Sequence, residues 1–170
     1  MPKIDLVPAT LAQQPIVANL LQLYIHDFSE FLPIEIGQDG TFGYPDLPLY
    51  WQSPGRHPFL IQVDGKWAGF VLVKTSLDLP TNQPTFDIAE FFILRAYRRL
   101  GIGTQVAHEV WRRFPGPWTV RVMQSNHAAF PFWERAISAF TGLKVEPSIV
   151  ERNGQSLFLF SFASPPALTR

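Results

Sequence analysis

Between residues 86 and 103 the chain runs from Phe86-Asp87-Ile88-Ala89-Glu90-Phe91-Phe92-Ile93-Leu94 through a basic turn, with Arg95, Arg98 and Arg99, into Gly101-x-Gly103. A strand apolar on nearly every position belongs inside a sheet covered on both faces, which requires a layered α/β arrangement. The next segment carries Ile102, Val106 and Val110 with Gly103, Ala107 and Phe114 alongside, an amphipathic helix that Pro115-Gly116-Pro117 stops. A strand that turns on glycines into a helix makes an anion site. The first helical turn leaves N–H groups without partners, and the macrodipole puts partial positive charge there. Glycines allow close backbone approach and arginines add formal charge, so a pyrophosphate is the natural guest.

Around this junction the remaining segments take simple forms. Lys3 to Val7 reads as a short edge strand, and Thr10 with Gln13 forms a capping-box pattern. Val17, Leu20, Leu21, Tyr24 and Phe28 then make a helical stripe that ends before Pro33. From Pro33 to Pro58 prolines and glycines interrupt every period, which reads as a long loop with at most a turn or two of helix. Phe59–Val63 and Trp67–Lys74 flank Asp64-Gly65, a hairpin signal, and a Pro-containing turn from Leu79 to Pro84 leads into the central strand. Trp118–Met123 is a further strand and Ala128–Phe140 a helix closed by Thr141-Gly142. Leu143–Val150 and Ser156–Phe162 flank Asn153-Gly154, a second hairpin. The order β-α-loop-β-β-β-α-β-α-β-β describes one mixed α/β domain over residues 1–170, a size that a single core serves.

Composition narrows the function. Basic and acidic side chains number 14 each, so no global field recruits nucleic acid or an anionic membrane. The absence of Cys rules out a thiol nucleophile and thiolate metal sites, and no metal is expected. MPKIDLVPATLAQQ lacks the apolar run of a signal peptide, and no segment approaches the roughly 20 apolar residues of a membrane span, so a cytoplasmic protein is expected.

Three phosphate motifs compete for the glycine turn. A P-loop needs Gly-Lys-Ser/Thr, but Gly103 is followed by Thr104-Gln105. A dinucleotide fingerprint needs a small residue where Val106 stands and an acid about 20 residues on, where Gln124-Ser125 stand. Arg98-x-x-Gly101-x-Gly103 resembles the Arg/Gln-x-x-Gly-x-Gly/Ala signature of the GNAT superfamily of acetyl-CoA-dependent N-acetyltransferases. After the next strand, Asn126-x-x-Ala129-x-x-Phe132-Trp133 is similar to that family's Asn-x-x-Ala-x-x-aliphatic/aromatic-Tyr, in the form of a sub-group with Phe-Trp. The clear resemblance runs from about Phe86 to Gly142.

The resemblance implies a mostly antiparallel sheet of about six to seven strands, splayed between the fourth and fifth, with helices on both faces. It implies acetyl-CoA as co-substrate, its pyrophosphate on the backbone of Arg98, Arg99, Leu100, Gly101, Ile102, Gly103 and Thr104. Pantetheine would meet the main chain of Phe92, Ile93 and Leu94 and the side chain of Asn126, with Phe132 and Trp133 walling the thioester end. Acyl transfer to a primary amine needs a proton acceptor, a polarised carbonyl and a proton for the thiolate. Glu90, an acid within the apolar strand, is the candidate base, because desolvation raises a carboxyl pKa. Asp87, an odd number of positions away, is expected on the opposite face of the sheet. Trp133 occupies the place of the Tyr usually credited as acid, which leaves Tyr97, His127 or water for that task. The acceptor, a small-molecule or peptide amine, is expected against Tyr24, Phe28, Tyr50 and Trp51, with His26, Asp27, Glu30 and Phe31 nearby. A monomer or homodimer is expected. Two rivals stay open: a non-catalytic acyl-CoA-binding or sensor module, and a phosphate-binding α/β protein outside the family.

Overall fold

A computed structural model describes residues 2–77 and 81–166. The strands are β1 (Ile4–Pro8), β2 (Arg56–Val63), β3 (Lys66–Leu77), β4 (Pro84–Ile93), β5 (Gly116–Met123), β6 (Ser148–Arg152) and β7 (Gln155–Ser164). The helices are α1 (Gln14–Phe28), α2 (Leu49–Gln52), α3 (Ile102–Arg113) and α4 (Ala129–Thr141). One seven-stranded sheet has the order β1-β2-β3-β4-β5-β7-β6 and is antiparallel except between β4 and β5. The mixed α/β sheet with helices on both faces is therefore as the resemblance implied.

Period-two patterning sorts the strand residues between two cores. Trp118, Val120 and Val122 of β5 join Phe59, Ile61, Val71 and Val73 beneath α3 and α4. Leu60, Phe70, Leu72 and Phe92 face the other way, under Val17, Leu20, Leu21 and Ile25 of α1. Both hairpins turn as their dipeptides require, with Asp64 at φ 49° and Gly65 at 75°, and Asn153 at 50° and Gly154 at 73°. Gly142, at φ 71°, closes α4 by donating its N–H to Ser138 O at 2.9 Å.

Several boundaries differ from the sequence reading. The punctuated stretch holds a single four-residue helix, α2, and β2 begins inside it at Arg56. β6 starts at Ser148 rather than Leu143, since Pro147 offers no N–H for a ladder and Leu143 is exposed. The turn expected from Leu79 to Pro84 falls partly on residues 78–80, outside the described residues.

Two irregularities of β4 shape the molecule. Leu72 pairs with Glu90 but Val73 with Ile88, so Ala89 is an extra residue, a β-bulge. The bulge shifts the parity of the strand. Phe86 and Ile88 face α3 and α4, yet beyond the bulge it is Phe91 and Ile93 that do so. Asp87 and Glu90 consequently share the α1 face, contrary to the expectation from simple alternation. Secondly, β4 pairs with β5 only at Phe86↔Trp118, Asp87↔Thr119 and Ile88↔Val120. Past these pairs the two strands part.

Candidate functional site

The fork between β4 and β5 opens into a cleft of about 670 Å³. Ala89, Glu90 and Phe91 line one arm, and Arg121, Val122 and Met123 line the other. Tyr24, Phe28, Leu32, Pro33 and Ile34 wall it from the end of α1 and the segment that follows. Arg152, Asn153, Gln155 and Leu157 close it from the β6–β7 hairpin, while Asn126, Ala129 and Trp133 stand at the α4 end.

Glu90 is the acid at the fork. Tyr24 Oη donates to its Oε2 at 2.5 Å and Tyr44 Oη to its Oε1 at 2.8 Å. Its carboxylate reaches the cleft, yet protein surrounds it closely enough for burial to dominate, raising its pKa above the ordinary glutamate value. The two phenol hydrogen bonds and the charges of Lys74 and Arg121 oppose that rise without cancelling it. The phenols move in the same direction. Burial, then the Glu90 charge, holds Tyr24 and Tyr44 well above the ordinary tyrosine value, so both keep their protons and act as donors. Tyr50 lies behind them, pushed up to about 12 chiefly by burial, with Arg56 stacked 5.1 Å from its ring centroid.

The turn into α3 has the form that anion binding requires. Gly101 sits at the N-cap with φ 76°, preceded by Arg99 at 62°. The first helical bond runs from Gln105 N–H to Gly101 O at 3.2 Å, which leaves the N–H groups of Ile102, Gly103 and Thr104 without intrahelical partners. Among the described residues, no protein atom outside Gly101 and its chain neighbours stands within 4 Å of where a side chain there would begin. Gly103 serves a different purpose: a Cβ there would meet the Phe132 ring at 3.1 Å. The two sequence motifs therefore touch.

The arginines depart from the sequence reading. Arg98 donates from Nε to Ile93 O at 2.7 Å and from Nη2 to Asp27 Oδ2 at 2.8 Å, while Arg95 Nη2 donates to Asp27 Oδ1 at 2.6 Å. The Arg98 side chain thus pins the turn to the end of α1 through its Nε and Nη2 groups. Partial burial works against it, but the bonds from Arg98 and Arg95 hold the Asp27 carboxyl below its ordinary value. Along β4, the Ile93 carbonyl is engaged by Arg98 and the Leu94 N–H donates to Ala68 O at 2.8 Å. Of the main-chain groups expected to meet pantetheine, these two already have protein partners. The unpaired edge toward β5 instead starts at Ala89, while the Phe92 carbonyl lies against Gly69 of β3.

Asn126 Oδ1 accepts from Ala129 N–H at 3.1 Å, bracing the start of α4, and its Nδ2 group has no protein partner among the described residues. Trp133 lines the cleft and packs against Phe91, 5.0 Å between centroids, with Phe132 at 4.8 Å. His127 is exposed and outside the cleft lining, and Tyr97 packs against the core beneath the basic turn.

Of the acceptor residues, Tyr24 and Phe28 reach the cleft, 4.8 Å apart. Tyr50 and Trp51 do not. Tyr50 is 2% exposed, and Trp51 Nε1 donates to Ala9 O at 2.9 Å, which makes both supports of the fold. The sequence reading missed Tyr44, Arg121 and Gln22. Gln22 clamps the main chain of Phe42 with bonds of 2.9 and 2.7 Å and so positions the segment that delivers Tyr44. Only Arg121 had a signal, as an outward position of β5 beside Asp87, to which it donates at 2.5 Å. Among the described residues no cluster of His, Asp or Glu is placed to hold a metal, and no helix is long and apolar enough to cross a membrane.

Comparison with known proteins agrees with this geometry. An acetyltransferase from Thermus thermophilus superposes with a TM-score of 0.67 at 18% identity, covering 95% of this chain and 97% of that one. The Escherichia coli ribosomal-protein-S18-alanine N-acetyltransferase gives 0.63 at 14% identity, over 97% and 96% of the two chains. Arabidopsis thaliana NAA60 in complex with acetyl-CoA gives 0.60 at 16%, over 95% and 98%. No curated protein matches the chain in sequence. The model of the Acetyltransferase (GNAT) family matches residues 18–137, the stretch that carries most of α1, the fork, the glycine turn and most of α4. With both motifs seated at that fork, the chain belongs to the GNAT acetyltransferase family.

Proposed function

We propose that the protein transfers an acetyl group from acetyl-CoA to a primary amine by direct attack within a ternary complex. The observation that carries this reading is Glu90 at the fork, half-buried and held by two phenols on the face opposite α3 and α4. The NAA60 structure with acetyl-CoA supports the choice of donor, and the S18-alanine enzyme supports an amine acceptor.

The residues fit such a donor. The open space at Gly101 and the N–H groups of Ile102, Gly103 and Thr104 suit a pyrophosphate, and Asn126 Nδ2 is available to a pantetheine carbonyl. The acyl end then lies in the fork beside Trp133. A neutral amine nitrogen attacks the thioester carbonyl carbon, a C–N bond forms and the C–S bond breaks. Glu90 takes the amine proton, directly or through water, and water supplies a proton to the departing thiolate. A backbone N–H of β4 near Ile93 is the candidate donor to the carbonyl oxygen. Tyr24 and Tyr44 hold the carboxylate in position and favour its charged form.

Calorimetry and thiol release test the proposal. The protein should bind acetyl-CoA in preference to NAD and ATP, and Gly101→Val should abolish that binding by filling the open space. Arg98→Ala should act mainly on stability, because the Arg98 bonds are internal. Unchanged affinity in a folded Gly101→Val protein removes the pyrophosphate assignment. Tight binding without thiol release from any amine would make the chain a binding module.

A further inference from the structure

The charged side chains that line the cleft, among the described residues, are Glu90, Arg121 and Arg152. Arg121 projects from the face of β5 opposite Trp118, Val120 and Val122, and Arg152 ends β6. Arg121 is built in. Its Nη2 donates to Asp87 Oδ2 at 2.5 Å, and Asp87 Oδ1 accepts from Thr119 Oγ1 at 2.9 Å. That brace anchors the guanidinium at Nη2, and its other N–H groups have no protein acceptor among the described residues. Arg152 is exposed at the cleft edge and has no ion-pair partner among the described residues. Across the cleft stand Phe28, Leu32, Pro33 and Ile34, an apolar wall.

Such a lining suits few amines. A polyamine would set further positive charge against two guanidinium groups, and a plain alkylamine would leave Arg152 without a counter-charge and the remaining N–H groups of Arg121 without an acceptor. A planar guanidinium held by one nitrogen presents its remaining fork to a carboxylate, which it matches in geometry and charge. Resting on the amine-acetylation reading above, we infer that the acceptor carries a carboxylate close to its amine, gripped by Arg121 and Arg152 while the nitrogen faces Glu90. The apolar wall takes its side chain. Two sources supply that pair of groups: a free α-amino acid with an apolar side chain, and a peptide whose second residue is Asp or Glu. In either case the amine gains the acetyl group, the C–S bond of the thioester breaks, and the amine proton leaves through Glu90.

The test compares matched acids and amides. Leucine against leucinamide measures the α-carboxylate, and Ala-Asp against Ala-Asn peptides measure the side-chain source. We expect kcat/KM at least about tenfold higher for the acid of one pair, the ratio that one hydrogen bond to a charged group carries. The less basic amine of leucinamide biases the first pair against this outcome. Calorimetry on the CoA-saturated protein, with N-acetylleucine against N-acetylleucinamide and the acetylated peptides likewise, reads the same carboxylate preference as a ratio of dissociation constants, without requiring turnover. It therefore speaks even if amine acetylation itself fails. Arg152→Gln, at an exposed position, should shrink the ratio. So should Arg121→Lys, which keeps a cation beside Asp87 but loses the planar fork. Equal handling of acid and amide in both pairs overturns the inference, as does a ratio that survives both substitutions.

Discussion

At Glu90 two influences oppose one another: burial penalises the carboxylate, and Tyr24 and Tyr44 stabilise it with a hydrogen bond to each oxygen. Because the pKa stays above the ordinary glutamate value, the acid limb of kcat/KM should lie above that value, with rate rising as Glu90 ionises. Tyr44→Phe removes a donor to the charged form, so the limb should move to higher pH. A limb that stays put or moves down would separate Glu90 from the titration. Glu90→Gln should lower kcat/KM by roughly 10² at neutral pH, the low end of general-base catalysis. The loss should shrink as pH approaches the solution pKa of the amine, about 10 for a lysine-like acceptor. A Glu90→Gln protein with an unaltered pH–rate profile would leave amine deprotonation to solvent.

Among the elements, β3 and β4 depend on a contact that no turn motif announces. A Cβ on Gly69 would collide with the Phe92 carbonyl oxygen, so only glycine lets the strands close at the fork. Gly69→Ala should cost about 1–3 kcal/mol in urea denaturation as the backbone gives way. It should also weaken acetyl-CoA binding, because β4 forms one arm of the cleft. Wild-type stability and affinity would mean that the close approach relaxes freely. Features set by short sequence were legible: both hairpins from their dipeptides, α1 and α3 from their stripes, the glycine turn from its flanking strand and helix. Features set by distant parts were not. One extra residue in β4 placed Asp87 and Glu90 on the same face, and nothing local marks Ala89 as that residue. Tyr44 reaches Glu90 across 46 positions from a segment with no period, whereas Tyr50 and Trp51, equally aromatic, turn inward. The basic turn was read correctly as a turn, but Asp27 on α1 redirects the side chains of Arg95 and Arg98.

Across the whole molecule, the backbone ladder that joins the two halves of the sheet at the fork is short among the described residues, so their spacing depends also on what spans its covered face. α3 does this. Arg113 Nη2 donates to Leu6 O of β1 at 2.7 Å, and the Trp111 carbonyl accepts from Ser164 Oγ of β7 at 2.7 Å. The Trp111 ring is 0% exposed and packs on Phe162 and Phe140 at 4.9 and 5.1 Å, with Trp133 at 6.3 Å. Its indole nitrogen has no hydrogen-bond partner among the described residues. Two terms therefore act at this residue: apolar packing that stabilises, and an unpaired buried donor that costs about 1–3 kcal/mol. Trp111→Ala loses the packing and leaves a cavity, and should destabilise by about 3–5 kcal/mol. Trp111→Phe keeps much of the ring contact and deletes the unpaired N–H, so its cost should stay below about 2 kcal/mol. Urea denaturation of the two variants separates the terms, and acetyl-CoA titration reports on the fork. Trp111→Phe should bind acetyl-CoA within about threefold of the parent protein, a difference below about 1 kcal/mol. Equal destabilisation in both variants would mean that the indole N–H finds a partner in solution, and that the ring holds the halves together through that bond rather than by packing.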